Sequence, residues 1–74
     1  MKEIDGQRVV YDLIQENPEL KEILVNMGFK PLNNDKMLNT VGRMMSLNNG
    51  AKQINLTHDE LAEELSKNGF ELKA

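Results

Sequence analysis

Two apolar repeats in this chain end on the same pair, Gly28-Phe29 and Gly69-Phe70, and these stops limit what the chain can fold into. Glycine takes the left-handed conformation that ends a helix without steric cost, and the phenylalanine after it can fold back on the last turn. In "NPELKEILVNMGF", Leu20, Ile23, Leu24 and Met27 fall at i, i+3, i+4 and i+7, which makes one apolar face. "LTHDELAEELSKNGF" repeats the design, with Leu61, Ala62 and Leu65 pointing inward. The two segments share Glu, Leu, Glu, Leu, Gly and Phe at the same offsets. An ancient duplication would give that likeness. A common stop signal on two unrelated helices explains it with less, since only one element is shared.

The helix starts are also written in the sequence. Asn17 is expected to cap the helix that begins with Pro18, whose missing N–H costs nothing at the first position. Thr57 with Glu60 three residues later forms a capping box, and Leu56 with Leu61 a hydrophobic staple. Asn34 opens a helix carrying Met37, Leu38, Val41, Met44 and Met45, which Thr40 and Gly42 weaken. Ser46 opens a last short helix with Leu47 and Ala51, ending before Ile54. Near the N-terminus, "VVYDLIQE" puts Val10, Leu13 and Ile14 on one side, and Asn17-Pro18 ends that helix. Val9 is a poor cap, so the first turn is expected to fray. Only the ends, "MKEI" and "FELK", allow a strand, with Ile4 and Leu72 as the pairing residues. The expected fold is all-α. It is a single domain over residues 1–74, a compact bundle of four or five short helices with a short pairing of the N- and C-terminal ends.

Seventy-four residues are too few for two cores, and a domain of this size buries only roughly 60% of its unfolded surface. The chain has no cysteine, hence no disulfide, no thiolate zinc site and no cysteine-ligated iron–sulfur cluster. Efficient helix packing or self-association must make up the deficit. The missing disulfides fit a reducing compartment. No apolar run approaches the roughly 20 residues of a membrane helix. "MKEIDGQRVV" lacks a signal-peptide core. A soluble, cytoplasmic protein without membrane partners is the expectation. The net charge of −3 argues against general nucleic-acid affinity, but it is unevenly spread. Residues 30–54 hold Lys30, Lys36, Arg43 and Lys52 against Asp35 alone, so the middle is the only basic third.

The order "VYDLIQENPELKEILVNMGF", then "PLNND.M..TVGRMMSL" and a closing helix, resembles the domain-of-unknown-function 1858 family from about Ile4 to Phe70. The pairing of "DLI..NPEL...L...GF" with "T.GRM.SL" carries the resemblance. It implies a compact helical fold and an accessory role with no established activity. Related domains stand alone or are joined to hemerythrin-like and sensory modules, and some resemble the N-terminal part of iron–sulfur repair proteins. The partners this implies are the chain itself or another protein, with hemerythrin-like and redox proteins among the candidates. Members with cysteines after the Gly-Phe pair invite a redox or metal reading. Here that loop is Lys30, Pro31, Leu32, Asn33 and Asn34, so soft-metal chemistry does not carry over.

Catalytic and metal chemistry find little to stand on. His58 is the only histidine, and the i+4 position a helical metal pair would use is Ala62. Glu60, Glu63 and Glu64 read as a solvated helix face. Ser46 and Ser66 have no base nearby in sequence, "NNGAK" lacks the phosphate-loop spacing, and Tyr11 and Asp12 point apart on a helix. No enzyme activity, cofactor or metal is expected. Two features remain. Met37, Leu38, Met44 and Met45 exceed one narrow stripe and are candidate interface residues for a homodimer or a partner, although methionine also fills cores. Lys30, Asn34, Lys36 and Arg43 are candidates for binding a small anion, since a helix start at Asn34 would offer N–H groups and Lys36 and Arg43 lie one heptad apart. Scattered solvated lysines are the plainer account of the same residues.

Overall fold

The computed structural model describes residues 2–73. Strand β1 (Lys2–Asp5) is followed by helices α1 (Val10–Glu16) and α2 (Glu19–Met27), and then by a single 3-10 turn (Lys30–Asn33). Helices α3 (Asp35–Met44), α4 (Leu47–Gln53) and α5 (His58–Lys67) lead to β2 (Phe70–Lys73). The fold is five short helices with the two ends paired, as the sequence predicts. β1 and β2 run parallel, and Ile4 stands opposite Leu72.

Both glycine stops hold. Gly28 has φ 126° and Gly69 φ 85°, each just past its helix. The Phe29 N–H then reaches back to the Leu24 carbonyl at 3.0 Å, and the Phe29 and Phe70 rings are buried. Asn34, Ser46 and Thr57 cap α3, α4 and α5 with their side chains, and the Thr57–Glu60 box is complete. Asn17 differs from expectation. Pro18 is already helical and occupies the cap position of α2 without a side-chain bond, while the Asn17 Oδ1 accepts from Lys2 Nζ at 3.2 Å.

The start of α1 also differs from expectation. Val9 gives no side-chain cap, but the Val10 N–H donates to the Met45 carbonyl at 2.9 Å. The Leu47 N–H returns a bond to Arg8 O at 3.1 Å, and the Asn48 N–H one to Gly6 O at 2.9 Å. The segment before α1 and the segment before α4 thus satisfy each other's free backbone groups. Sequence-distant backbone does the work of a cap.

Val10, Leu20, Leu24, Leu47, Leu61 and Leu65 form the centre of the core, completely shielded from water. Gly42 lies where α3 packs against α1, and its one tight neighbour is on its own helix. A Cβ there would lie 3.1 Å from Leu38 Cδ1 and 3.7 Å from the Tyr11 backbone nitrogen.

Candidate functional site

The 3-10 turn, α3 and α4 enclose an apolar cleft of about 240 Å³. Phe29, Pro31 and Leu32 form one wall. Met37, Val41 and Met45 form the other, at i, i+4 and i+8, on one face of α3 and its C-cap. Gln53 and Ile54 close the end. Gly50 belongs to α4 where Phe29 and Met45 meet, and any Cβ there would stand 2.8 Å from Phe29 Cε1 and 2.9 Å from Met45 Cε. Gln53 is the one polar side chain in the lining. The loop that follows the first Gly-Phe pair is therefore a wall. Leu32 anchors it in the core, and Pro31 presents its ring to the cleft.

The four candidate interface residues do not form one face. Met44 is 86% exposed and Met37 39%, while Met45 packs against the core and lines the cleft. Leu38 is a correction to the sequence reading: at 7% exposure it is a core residue, held under Gly42 where α3 crosses α1. Only the methionines of that set reach solvent or the cleft. Val41, Ile54 and Phe29 also line the cleft, beyond the residues the sequence offers as binding candidates. The Met37–Val41–Met45 spacing was the available signal for one wall, but nothing local in the sequence reports the other.

The candidate anion-binding residues are also dispersed in what they do. The Asn34 Oδ1 accepts from the N–H groups of Lys36 at 2.8 Å and Met37 at 3.3 Å, so the helix start is satisfied by its own cap. Arg43 lies over the Tyr11 ring, 4.2 Å from its centroid, in a cation–π contact on the α1 side of the helix. Lys30 and Lys36 are exposed.

The ion pairs sort the nine lysines and arginines into two sets. Lys2, Arg8, Lys21, Lys67 and Lys73 each pair with a carboxylate. Lys30, Lys36, Arg43 and Lys52, the cations of the basic middle, pair with none among the described residues. Asp35, the only acid of that middle third, is taken by Lys21 of α2 at 3.2 Å. Three of the four unpaired cations adjoin cleft residues in sequence: Lys30 lies between Phe29 and Pro31, Lys36 precedes Met37, and Lys52 precedes Gln53.

A second, larger hollow of about 360 Å³ lies between α2 and α5 and is lined by Glu19, Glu22 and Glu64 with Ile23 and Met27. Hydrogen bonding to its own backbone N–H, and then Lys2, hold the Glu19 carboxyl below its ordinary range. Glu64 is engaged by Lys67 at 3.4 Å. Among the described residues no three His, Asp or Glu side chains are grouped to hold a metal ion, and His58 is exposed. No helix of the described chain is long and apolar enough to cross a membrane.

The sequence model of the family described as domain of unknown function DUF1858 matches residues 4–62. The chain belongs to the DUF1858 family. This DUF1858 domain is also similar to the crystal structure of the conserved domain protein from Streptococcus pneumoniae TIGR4. The two share 41% sequence identity with a TM-score of 0.92, over 99% of this chain and 92% of that one. None of the curated proteins compared with it matches. The DUF1858 match ends inside α5, so the Gly69-Phe70 stop and β2 lie beyond it.

Proposed function

We propose that this domain is a non-catalytic binding module that takes an apolar side chain of a protein into the cleft between the 3-10 turn, α3 and α4. The observation that carries the reading is the cleft's lining: eight apolar residues, counting Gly50, and one glutamine. Small-molecule sites run from about 300 to 1,000 Å³. At about 240 Å³ this cleft is smaller, and its size suits one or two large side chains. Met37 and Met45 add adaptability, because an unbranched thioether can re-pack around different occupants. Met44, almost fully exposed on the same helix, extends the apolar surface beside it.

The test is a photo-crosslinking side chain placed at position 37, with position 63 on α5 as the control. A discrete protein adduct is expected at 37, absent at 63, and lost when Val41→Lys fills the cleft with charge. An adduct of twice the chain's mass would make the bound protein a second copy, which is the homodimer form of the same reading. Equal labelling at both positions would end it.

A small anionic ligand is the second reading, favoured by the four cations that pair with no carboxylate among the described residues. The self-capped helix start and the stacking of Arg43 on Tyr11 weigh against it. Cytoplasmic residence, which the cysteine-free composition fits, and a hemerythrin-like or redox protein as partner, which the family resemblance implies, extend the first reading.

A further inference from the structure

The chain carries the dipeptide Asn-Gly twice, at Asn49-Gly50 and at Asn68-Gly69. That pair has a chemistry of its own in water. The backbone nitrogen after an asparagine can attack the side-chain carbonyl, and glycine, with no Cβ, hinders the attack least. The fold separates the two copies. Asn49 is exposed, but Gly50 is buried in α4, with its N–H on Ser46 O at 2.9 Å and with Phe29 and Met45 packed against it. Its peptide cannot turn towards the Asn49 side chain without displacing them. Asn68 and Gly69 are both exposed, just past the last residue of α5, and a Cβ on Gly69 would meet nothing within 4 Å. Two bonds hold this second pair: the Gly69 N–H donates to Ser66 O at 3.1 Å, and Asn68 Nδ2 to Glu64 O at 2.8 Å. Both belong to a helix end at the surface, which opens locally more often than a packed element does.

We propose that Asn68 is a site of spontaneous deamidation, and that the reaction loosens the joint between α5 and β2. When the helix end opens, the Gly69 nitrogen loses its proton and bonds to Cγ of Asn68. The Cγ–Nδ2 bond breaks, ammonia leaves, and a cyclic succinimide remains. Water then opens the ring. Attack at Cγ gives aspartate, and attack at the backbone carbonyl gives isoaspartate, whose chain runs on through Cβ and Cγ. In sum an amide and a water become an acid and an ammonia, with nothing oxidised or reduced. Either product sets a negative charge at the C-terminal end of α5, where the helix dipole disfavours it. The charge enters the hollow that Glu19, Glu22 and Glu64 already line, and the donor to the Glu64 carbonyl is lost. Isoaspartate also lengthens the backbone just before Gly69, whose carbonyl accepts from the Lys2 N–H at 3.1 Å where the β1–β2 pairing starts.

The test ages the full chain in mildly alkaline buffer, folded and in urea, and maps it by acid-protease digestion and mass spectrometry. In the folded chain Asn68 should convert to the acid about tenfold or more faster than Asn49, and in urea the two rates should meet. Equal rates in the folded chain, faster conversion at Asn49, or an Asn68 that reacts only in urea would overturn the site. The consequence is read by comparing each aged sample with its own fresh protein. Wild type should unfold at lower urea after ageing, whereas Asn68→Ser, which has no amide to lose, should keep its midpoint. Wild type converted at Asn68 that still unfolds at the fresh midpoint would overturn the loosening of the joint.

Discussion

Met45 lies across Gly50, so that a Cβ at position 50 would stand 2.9 Å from its Cε and 3.1 Å from its Sδ. On the same glycine the Phe29 ring approaches to 2.8 Å. Met45 can swing away, but the buried Phe29 ring cannot without disturbing the turn that forms the cleft wall. Gly50→Ala should therefore destabilise the domain by about 1–3 kcal/mol, despite alanine's better helix propensity. Urea unfolding measures this, and a stabilised variant would show that the contact is loose.

The two glycine stops should differ in cost. Gly28 and Gly69 both have positive φ, but a Cβ at 28 meets Ile54 Cδ1 at 3.3 Å while one at 69 meets nothing within 4 Å. Gly69→Ala should cost about 1 kcal/mol from backbone strain alone. Gly28→Ala should cost more, because Ile54 must also give way at the end of the cleft. Thermal unfolding of the two variants side by side checks the order.

At the start of α5, the backbone N–H of Thr57 donates to Glu60 Oε1 at 2.9 Å, and Thr57 Oγ1 accepts from the Glu60 N–H at 3.1 Å. The Thr57 backbone N–H, and after it the Thr57 hydroxyl, hold the Glu60 carboxyl below its ordinary value of 4.5. A depressed folded-state pKa gives a contribution that is complete above pH 4.5 and fades as pH falls through the folded value. The advantage of wild type over Glu60→Gln should accordingly be constant near neutrality and shrink in acid. Thr57→Ala should cost about 1 kcal/mol at neutral pH. Chemical denaturation from pH 7 to pH 3 is the measurement, and an advantage that grew in acid would reverse the sign.

The cation–π contact of Arg43 over Tyr11 predicts a stabilising role for this residue of the basic middle. Arg43→Ala should cost about 0.5–1 kcal/mol, the range of an exposed cation–π contact. Inorganic phosphate should move the amide signals of Lys36 and Met37 little, because Asn34 Oδ1 already occupies both N–H groups. Saturable phosphate shifts at residues 33–37 that Arg43→Ala abolishes would restore the small-anion reading.

Local chemistry in the sequence determined the helix ends. Asn34, Ser46 and Thr57 cap side chains onto N–H groups two or three residues on, and Gly28 and Gly69 end their helices with their own φ. The interaction partners in those motifs lie within one turn of each other, so spacing alone reveals them. The Ile4–Leu72 pairing was legible because no other segments read as strand. Tertiary structure decided the rest. It held the first turn of α1 with the Met45 carbonyl and turned the Asn17 side chain to Lys2. It also divided the α3 stripe, burying Leu38 beneath Gly42 and leaving Met44 in water. A helical repeat marks which residues are apolar but not which neighbour covers each of them. The cleft depends on that covering, since its walls come from segments that meet only when α3 and α4 pack around Phe29.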